Sequence, residues 1–222
     1  MRIIDLTAAI GPTTYSPPSV NKPIDVKVVY KTPGYWQVTQ VGMALHAGSH
    51  VDFTKHFVED GETAENVDLS RTCGQAVVLD LGAVEPSHNI IPSDLAGCGI
   101  SVSPGEIVLV RTHWTDRSWG SFPSYYLDSP SCSPEAAQWL VDTGASAIGF
   151  DCFPEGAAKA SSFSPLDFVV HQIIGEGGAI LMQSLTNLSE LPTEGERFAF
   201  FGAFLKFEGA EGAPARFFAQ LD

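Results

Sequence analysis

The most informative segment of this chain is Leu45-His-Ala-Gly-Ser-His-Val-Asp-Phe-Thr-Lys-His-Phe57, because it holds three of the six histidines. In an extended backbone, residues of one parity point to one side. The polar side then carries His46, His50, Asp52, Thr54 and His56. The apolar side carries Val51, Phe53 and Phe57. A helix is disfavoured because it would turn Asp52 about 200° away from His50, and because Gly48 would weaken it.

This segment must also bend if its polar side chains are to meet. A straight strand would hold the Cα atoms of His46 and His50 about 13 Å apart, too far to share one ion. Gly48 permits a bend that brings His46, His50 and Asp52 together. Two imidazoles and a carboxylate suit Zn²⁺, Mn²⁺ or Fe²⁺ and leave positions open for water and substrate. A single histidine is more often structural, but several ionisable groups are costly to bury together without a cation. We therefore predict that these three residues bind a metal.

The composition outside this segment is that of a globular protein with an acidic balance. The chain has 222 residues, 44% of them hydrophobic, and a formal net charge of −14. Phosphate backbones and anionic membranes would repel it, so we expect neither a nucleic-acid nor a membrane partner. The start Met1-Arg-Ile-Ile-Asp5 lacks signal-peptide features, and we expect a cytoplasmic protein. No repeat or low-complexity block divides the chain, which predicts one domain over residues 1–222.

Proline and glycine divide the chain into short elements that predict a mixed α/β fold with few helices. Strands are expected at residues 26–30, 35–41, 76–81, 107–111 and 147–150. The last three are continuously apolar, which is typical of strands covered on both faces. A helix is expected over 133–142, because Ser133 and Pro134 are start signals and Gly144 is a stop signal. Similar signals predict a second helix over 164–175 that carries His171.

The histidine segment resembles the signature H-x-G-T-H-x-D-x-P-x-H-F of the cyclase family of metal-dependent hydrolases, which includes bacterial kynurenine formamidase and isatin hydrolase. Ser49 replaces Thr but keeps a hydroxyl, and Thr54 replaces Pro, which relaxes the backbone. Residues 3–12 resemble the family's opening strand. Residues 110–114, 133–137 with 139–140, 148–151 and 205–216 resemble its later blocks in the expected order. The resemblance implies a compact single α/β domain of the swivelling β/β/α type and a homodimer or homotetramer.

A later pair of residues indicates the branch of the family. Formamidases carry a His followed twelve residues later by a Glu that helps bridge two zinc ions. In this chain His171 is followed at that distance by Gln183. A neutral amide cannot readily offset the charge of a second ion, which favours a mononuclear site. Isatin hydrolases resemble this arrangement, with Gln as a ligand of one Mn²⁺ and a following Ser, here Ser184, implicated in proton movement. Without the resemblance, Gln183 would be interpreted as a structural polar residue.

The resemblance therefore implies one divalent ion, Mn²⁺ with Zn²⁺ as the alternative, held by His46, His50, Asp52 and Gln183. The implied reaction is the opening of a small aromatic or cyclic amide, of the isatin-to-isatinate type, by metal-activated water. His56 and His171 are expected to orient the substrate and transfer protons, and the choice of base between them stays open. Ser184 is expected to link the site to solvent. The alternatives are an arylformamidase acting on N-formylkynurenine and a non-catalytic metal-containing protein that binds a small molecule.

Overall fold

The computed structural model describes residues 1–159 and 162–221, and β-strands form most of its regular structure. Over this range the strands are β1 (Arg2–Asp5), β2 (Asp25–Lys31), β3 (Trp36–Gly42), β4 (His50–Asp52), β5 (Cys73–Asp80), β6 (Asn89–Ile90), β7 (Ile107–Arg111), β8 (Ser131–Cys132), β9 (Ala147–Phe150), β10 (Ile180–Gln183), β11 (Phe198–Phe204) and β12 (Gly212–Leu221).

The helices are short. They are α1 (Pro92–Gly97), α2 (Trp114–Ser118), α3 (Ser124–Leu127), α4 (Pro134–Asp142) and α5 (Val169–Glu176) in the described chain. Single 3₁₀ turns occur at Thr54–His56, Leu69–Arg71, Ala157–Lys159, Pro165–Asp167 and Leu188–Glu190. Among the described residues, no helix is both long enough and apolar enough to cross a membrane.

Eight strands form the main sheet, in the order β1-β12-β11-β5-β7-β9-β10-β4. A further pairing of β12 with β4 closes seven of them, β12 through β4, into a barrel. Neighbours from β5 to β10 are parallel, whereas the remaining pairs are antiparallel. The mixed sheet with few helices is thereby confirmed. These pairings do not confirm the swivelling β/β/α type, which stays a prediction.

Strand β12 joins parts of the chain that are far apart in sequence. One edge pairs with β11, from Ala215 opposite Phe204 to Gln220 opposite Ala199. The other edge pairs first with β4 and then with β1, so that these two short strands lie end to end. Phe217 accepts a hydrogen bond from Leu6 N and continues this edge beyond β1. The strand that carries the predicted metal ligands is therefore held between β10 and β12.

Strands β7 and β9, and residues 76–79 of β5, are covered on both faces, as their continuously apolar sequences predict. One core cluster fills the barrel and includes Val78, Leu109 and Met182. The second cluster lies between the barrel and the helices and includes Val77 and Leu140. Because neighbouring residues of β5 enter different clusters, both cores are fixed to the same strands. Helices α4 and α5 also pack on each other and complete this outer layer.

The five predicted strands are present, and Ser133 caps α4 by accepting a hydrogen bond from Ala136 N at 3.1 Å. The second helix differs from its prediction. Ser164 caps only a separate 3₁₀ turn, and α5 begins at Val169, because Phe168 has a non-helical ψ of 53°. Gly175 lies inside the helix and does not end it. His171 lies on α5, as predicted.

Candidate metal centre

The backbone bends before β4, as the position of Gly48 predicts. Gly48 has a φ of +72°, a left-handed conformation that is strained for residues with a side chain. A Cβ at this position would also lie 2.4 Å from Ile10 Cγ2. The bend returns His46 toward β4, where His50 and Asp52 are almost completely buried. Three side chains that are spread over seven residues therefore face one point.

The donor atoms of His46, His50 and Asp52 all lie within 4.8 Å of one another. Asp52 Oδ1 is 2.6 Å from His46 Nδ1 and 3.2 Å from His50 Nε2. The second nitrogen of His50, Nδ1, is 2.8 Å from the Gly48 carbonyl, which leaves Nε2 directed at the cluster. Nitrogen and carboxylate donors at this spacing suit an ion with ligand bonds of about 2.0–2.2 Å. The residues present therefore fit a divalent cation.

Electrostatics at the cluster favour a cationic occupant. Burial opposes ionisation of Asp52, but the neighbouring His50 and His46 hold its pKa well below the ordinary value. Burial likewise opposes protonation of His46, yet the Asp52 carboxylate outweighs it and raises the pKa of His46 to about 9. A fully buried anion of this kind is stable only beside positive charge. A cation bound between these donors would supply that charge.

Gln183 and His171 reach the same point from β10 and α5. The amide Nε2 of Gln183 is 2.7 Å from Asp52 Oδ2, 2.9 Å from His171 Nε2 and 3.3 Å from His50 Nε2. A rotation of the amide by 180° exchanges its nitrogen and oxygen, so the same side chain can offer a cation its oxygen. His171 Nε2 also lies 3.4 Å from Asp52 Oδ2. Both residues are buried, and their heads converge on the donors from β4.

His56 joins the site through a 3₁₀ turn, so the extended arrangement predicted for residues 54–57 is wrong. Thr54 O accepts hydrogen bonds from Phe57 N and Val58 N, and these bonds close the turn. The His56 ring stacks on the His46 ring with centroids 4.0 Å apart. Burial lowers the pKa of His56 to about 4, and the nearby imidazoles act in the same direction. Because of the turn, Phe57 lines the same cavity as His56 and does not face away from it.

Ser184 is placed apart from the other predicted site residues. It has a φ of 57°, and its hydroxyl accepts a hydrogen bond from Tyr125 Oη at 3.0 Å. Its carbonyl accepts a hydrogen bond from Ser49 Oγ at 2.7 Å. Neither Ser184 nor Tyr125 is among the residues that line the cavity. The structure therefore assembles His46, His50, Asp52, His56, His171 and Gln183, and the role of Ser184 stays a prediction.

Two carboxylates that contact the imidazoles were not anticipated from the sequence. Buried Glu155 accepts hydrogen bonds from His171 N at 2.8 Å and from the His171 ring nitrogen Nδ1 at 2.7 Å. With these bonds and Asp52 opposing the effect of burial, the pKa of His171 rises to about 9. Glu211 Oε1 is 3.2 Å from His46 Nε2. Neither Glu155 nor Glu211 lies in the histidine segment. In the sequence, their acidic side chains are the one feature that indicates a role at the site.

A cavity of about 470 Å³ opens beside the metal donors. Its wall includes the phenyl rings of Phe57, Phe153, Phe163 and Phe168, and its polar lining includes the site imidazoles and Gln183. Gly175 sets the position of one ring, because a Cβ there would lie 1.9 Å from Phe57 Cε2. The missing side chain lets Phe57 pack directly on α5. A flat apolar molecule with one polar group matches this combination of aromatic wall and donor cluster.

Comparison with known proteins identifies the family of this chain. The family model named Cyclase matches residues 4–154. An isatin hydrolase from Roseibium aggregatum is 26% identical over 251 aligned positions, covering 100% of this chain and 92% of that protein. A kynurenine formamidase from Salinibacter ruber is 24% identical over 174 positions, covering 78% of this chain and 75% of that protein.

The fold is also similar to that of solved structures. The crystal structure of an isatin hydrolase bound to the product analogue thioisatinate matches with a TM-score of 0.83 at 23% identity. That match covers 99% of this chain and 92% of the other. An isatin hydrolase A from Ralstonia solanacearum has a TM-score of 0.79 at 22% identity, covering 100% of this chain and 92% of that one. Because the family model spans more than half of the sequence, the chain belongs to the cyclase family, as the segment from His46 to Phe57 predicts.

Proposed function

We propose that this protein is a metal-dependent hydrolase that opens a cyclic amide fused to an aromatic ring, of the isatin-to-isatinate type. The observation that carries this proposal is the buried cluster of His46, His50 and Asp52 beside a cavity walled by phenyl rings. The similarity to isatin hydrolases along the whole chain supports the same substrate class.

We propose that one divalent cation, Mn²⁺ with Zn²⁺ as the alternative, is held by His46, His50, Asp52 and Gln183. Two imidazoles, one carboxylate and one amide oxygen form a donor set that suits Mn²⁺. The neutral amide of Gln183 adds no negative charge to offset a second ion, which supports a single one. When bound, such a cation polarises a carbonyl and makes water more nucleophilic near neutral pH.

The residues of this chain then have to move protons. Hydrolysis joins the oxygen of one water to the carbonyl carbon, breaks the C–N bond and transfers a proton from that water to nitrogen. We assign this transfer to His56 and His171, both of which line the cavity. The Glu155 carboxylate contacts Nδ1 of His171, and the other ring nitrogen of His171, Nε2, faces the cluster. We therefore assign the proton exchange to Nε2 of His171. We leave open which of the two imidazoles accepts it first.

We propose that Ser184 takes part in proton movement between the site and solvent, as the resemblance to isatin hydrolases implies, and its hydroxyl accepts a hydrogen bond from Tyr125. Tyr125 Oη is in turn 2.9 Å from Thr115 Oγ1, so three hydroxyl groups form a buried chain. Ser184→Ala should lower kcat and leave the metal content unchanged. An unaltered kcat would remove Ser184 from the reaction.

The decisive experiment combines elemental analysis with a ring-opening assay on the same sample. The purified protein, supplemented with Mn²⁺ or Zn²⁺, is expected to retain one ion per chain and to change the absorbance of isatin as the ring opens. Loss of turnover after chelation, and recovery after the ion is returned, would tie the activity to the metal. Metal-loaded protein without turnover of isatin or related cyclic amides would refute the proposal.

The similarity to kynurenine formamidase favours N-formylkynurenine as the second candidate substrate. Two tightly held zinc ions per chain, with formyl release from that substrate, would support this alternative. A third candidate is a metal-containing protein that binds a small molecule without turnover. Inactivity of metal-loaded protein toward isatin, N-formylkynurenine and simple lactones and imides would favour it.

We also propose that the chain forms a homodimer or homotetramer through the hairpin of β2 and β3. These strands pair with each other over seven residues each, and among the described residues neither joins another strand. The hairpin exposes Tyr30, Tyr35 and Trp36, although a two-stranded hairpin alone is only marginally stable in water. Residues 22–42 hold three lysines and one aspartate, whereas the whole chain has a net charge of −14. A second acidic copy therefore complements the hairpin in charge.

Light scattering coupled to size-exclusion chromatography tests this assembly. The protein should elute as a dimer or tetramer, and Trp36→Glu should shift it toward monomer. A monomeric protein at micromolar concentration, or an assembly that Trp36→Glu leaves intact, would contradict an interface at the hairpin.

A further inference from the structure

The imidazole rings of His46, His50 and His171 each have one nitrogen that faces away from the donor cluster. Each of these nitrogens contacts a different acceptor. Gly48 O engages His50, Glu155 engages His171, and Glu211 engages His46. The first two acceptors are buried, whereas the Glu211 side chain is 41% exposed. Nothing in the histidine segment predicts that Glu211 contacts His46. The proposed reaction assigns no role to its contact with His46.

Neighbouring groups hold the His46 ring in the orientation in which its Nε2 contacts Glu211. His56 stacks on one face of the ring. Gly212 lies so close to the ring that a Cβ would come within 2.6 Å of His46 Cε1. Phe53 N donates a hydrogen bond to Glu211 O at 2.9 Å, which fixes the Glu211 backbone against the end of β4. The contact between β4 and β12 therefore fixes the Glu211 backbone beside the His46 ring. The adjacent Gly212, which has no side chain, leaves room for that ring.

We propose that Glu211 is a positioning residue that holds His46 in the orientation and tautomer required of a metal ligand. This inference rests on the proposed metal-dependent function. A neutral imidazole has one N–H, and the carboxylate of Glu211 accepts it from Nε2. Nδ1, which lies 2.6 Å from Asp52 Oδ1, would then offer its lone pair to the cation that both atoms are proposed to bind. Carboxylates that engage the outer nitrogen of a ligating histidine fix its ring and increase its basicity, and losing one costs about 10–100-fold in metal affinity.

The test is a competition titration of Mn²⁺ and Zn²⁺ against a chromophoric chelator, with thermal unfolding of each metal-free variant measured in parallel. Glu211→Ala should weaken metal binding by about 10–100-fold. Glu211→Gln keeps an oxygen that can accept the Nε2 proton and should recover most of the affinity. Glu208→Ala is the matched control, because it removes the same charge from an exposed position three residues earlier in the chain.

The outcomes separate this inference from the function on which it rests. A wild-type protein that binds neither ion would overturn both. Normal binding by the wild type together with unchanged affinity in Glu211→Ala would overturn the role of Glu211 alone. Equal weakening in Glu208→Ala would assign the effect to net charge and also overturn the role. If Glu211→Ala loses thermal stability, Glu211→Gln decides the outcome, and its metal affinity should approach that of Glu208→Ala. Failure of Glu211→Gln to recover affinity while its fold is intact would overturn the role of the acceptor.

Discussion

Replacing Gly212 with alanine should displace His46 from the donor cluster. A Cβ on Gly212 lies 2.6 Å from His46 Cε1 and 3.0 Å from both His46 Nδ1 and Val51 O. Carbon atoms in ordinary contact are about 3.5 Å apart, so the ring must retreat by about 0.9 Å. Metal–ligand distances tolerate only about 0.2 Å, so Nδ1 should no longer coordinate. The loss of affinity should exceed the roughly 10–100-fold that follows loss of an outer-sphere partner.

The assay is the chelator competition titration with Mn²⁺ and Zn²⁺, accompanied by denaturant unfolding. Gly212 has no positive φ, so alanine fits the backbone, and overpacking should cost about 1–3 kcal/mol of unfolding free energy. Gly74→Ala is the matched control, because a Cβ on this glycine of β5 meets no atom closer than Ser70 O at 4.0 Å. Metal affinity equal to wild type in a folded Gly212→Ala protein would refute the placement of His46 among the ligands.

Four further substitutions test other parts of the centre. His50→Ala or Asp52→Ala should abolish stoichiometric metal in elemental analysis, and full retention would show that the ligand assignment is wrong. Gln183→Glu adds a carboxylate that can offset a second cation, so the metal content should rise toward two ions per chain, whereas an unchanged content would weaken the charge argument. Gly175→Ala would place a Cβ 1.9 Å from Phe57 Cε2 and should lower the free energy of unfolding by about 1–3 kcal/mol, measured with denaturant; an undiminished stability would contradict the observed packing.

Local patterns predicted the parts of this protein that depend on neighbours in sequence. The bend at Gly48 followed from its freedom at positive φ and from the need to bring His46 and His50 together. The start of α4 followed from Ser133 and Pro134, whose capping chemistry acts within one turn. Most of the fold class could be predicted in this way, because strands and caps are encoded over a few residues.

The contacts that complete the centre depend on residues far apart in sequence, and periodicity carries no information about them. Glu211 is 165 residues from His46, and only the pairing of β4 with β12 brings the two together. Glu155 is 16 residues from His171, and it can accept the His171 N–H because that group lies in the first turn of α5, whose start the sequence signals place earlier. A glycine at position 175 predicts a helix end, but it lies inside α5, where the missing Cβ leaves room for Phe57. The sequence therefore indicates which side chains converge at β4, whereas it does not indicate Glu155 and Glu211, which contact the imidazoles.

The pairing of β12 with both β4 and β1 has a consequence for the order of events during synthesis. Asp52 leaves the ribosome 160 residues before Gly212, the residue that pairs with it. At roughly 5–20 residues per second, the growing chain carries its ligand strand for roughly 8–30 s without the partner that completes its pairing. Ion capture should therefore be a late step in biogenesis, and a nascent chain truncated before β12 should fail to retain an ion that the finished chain holds.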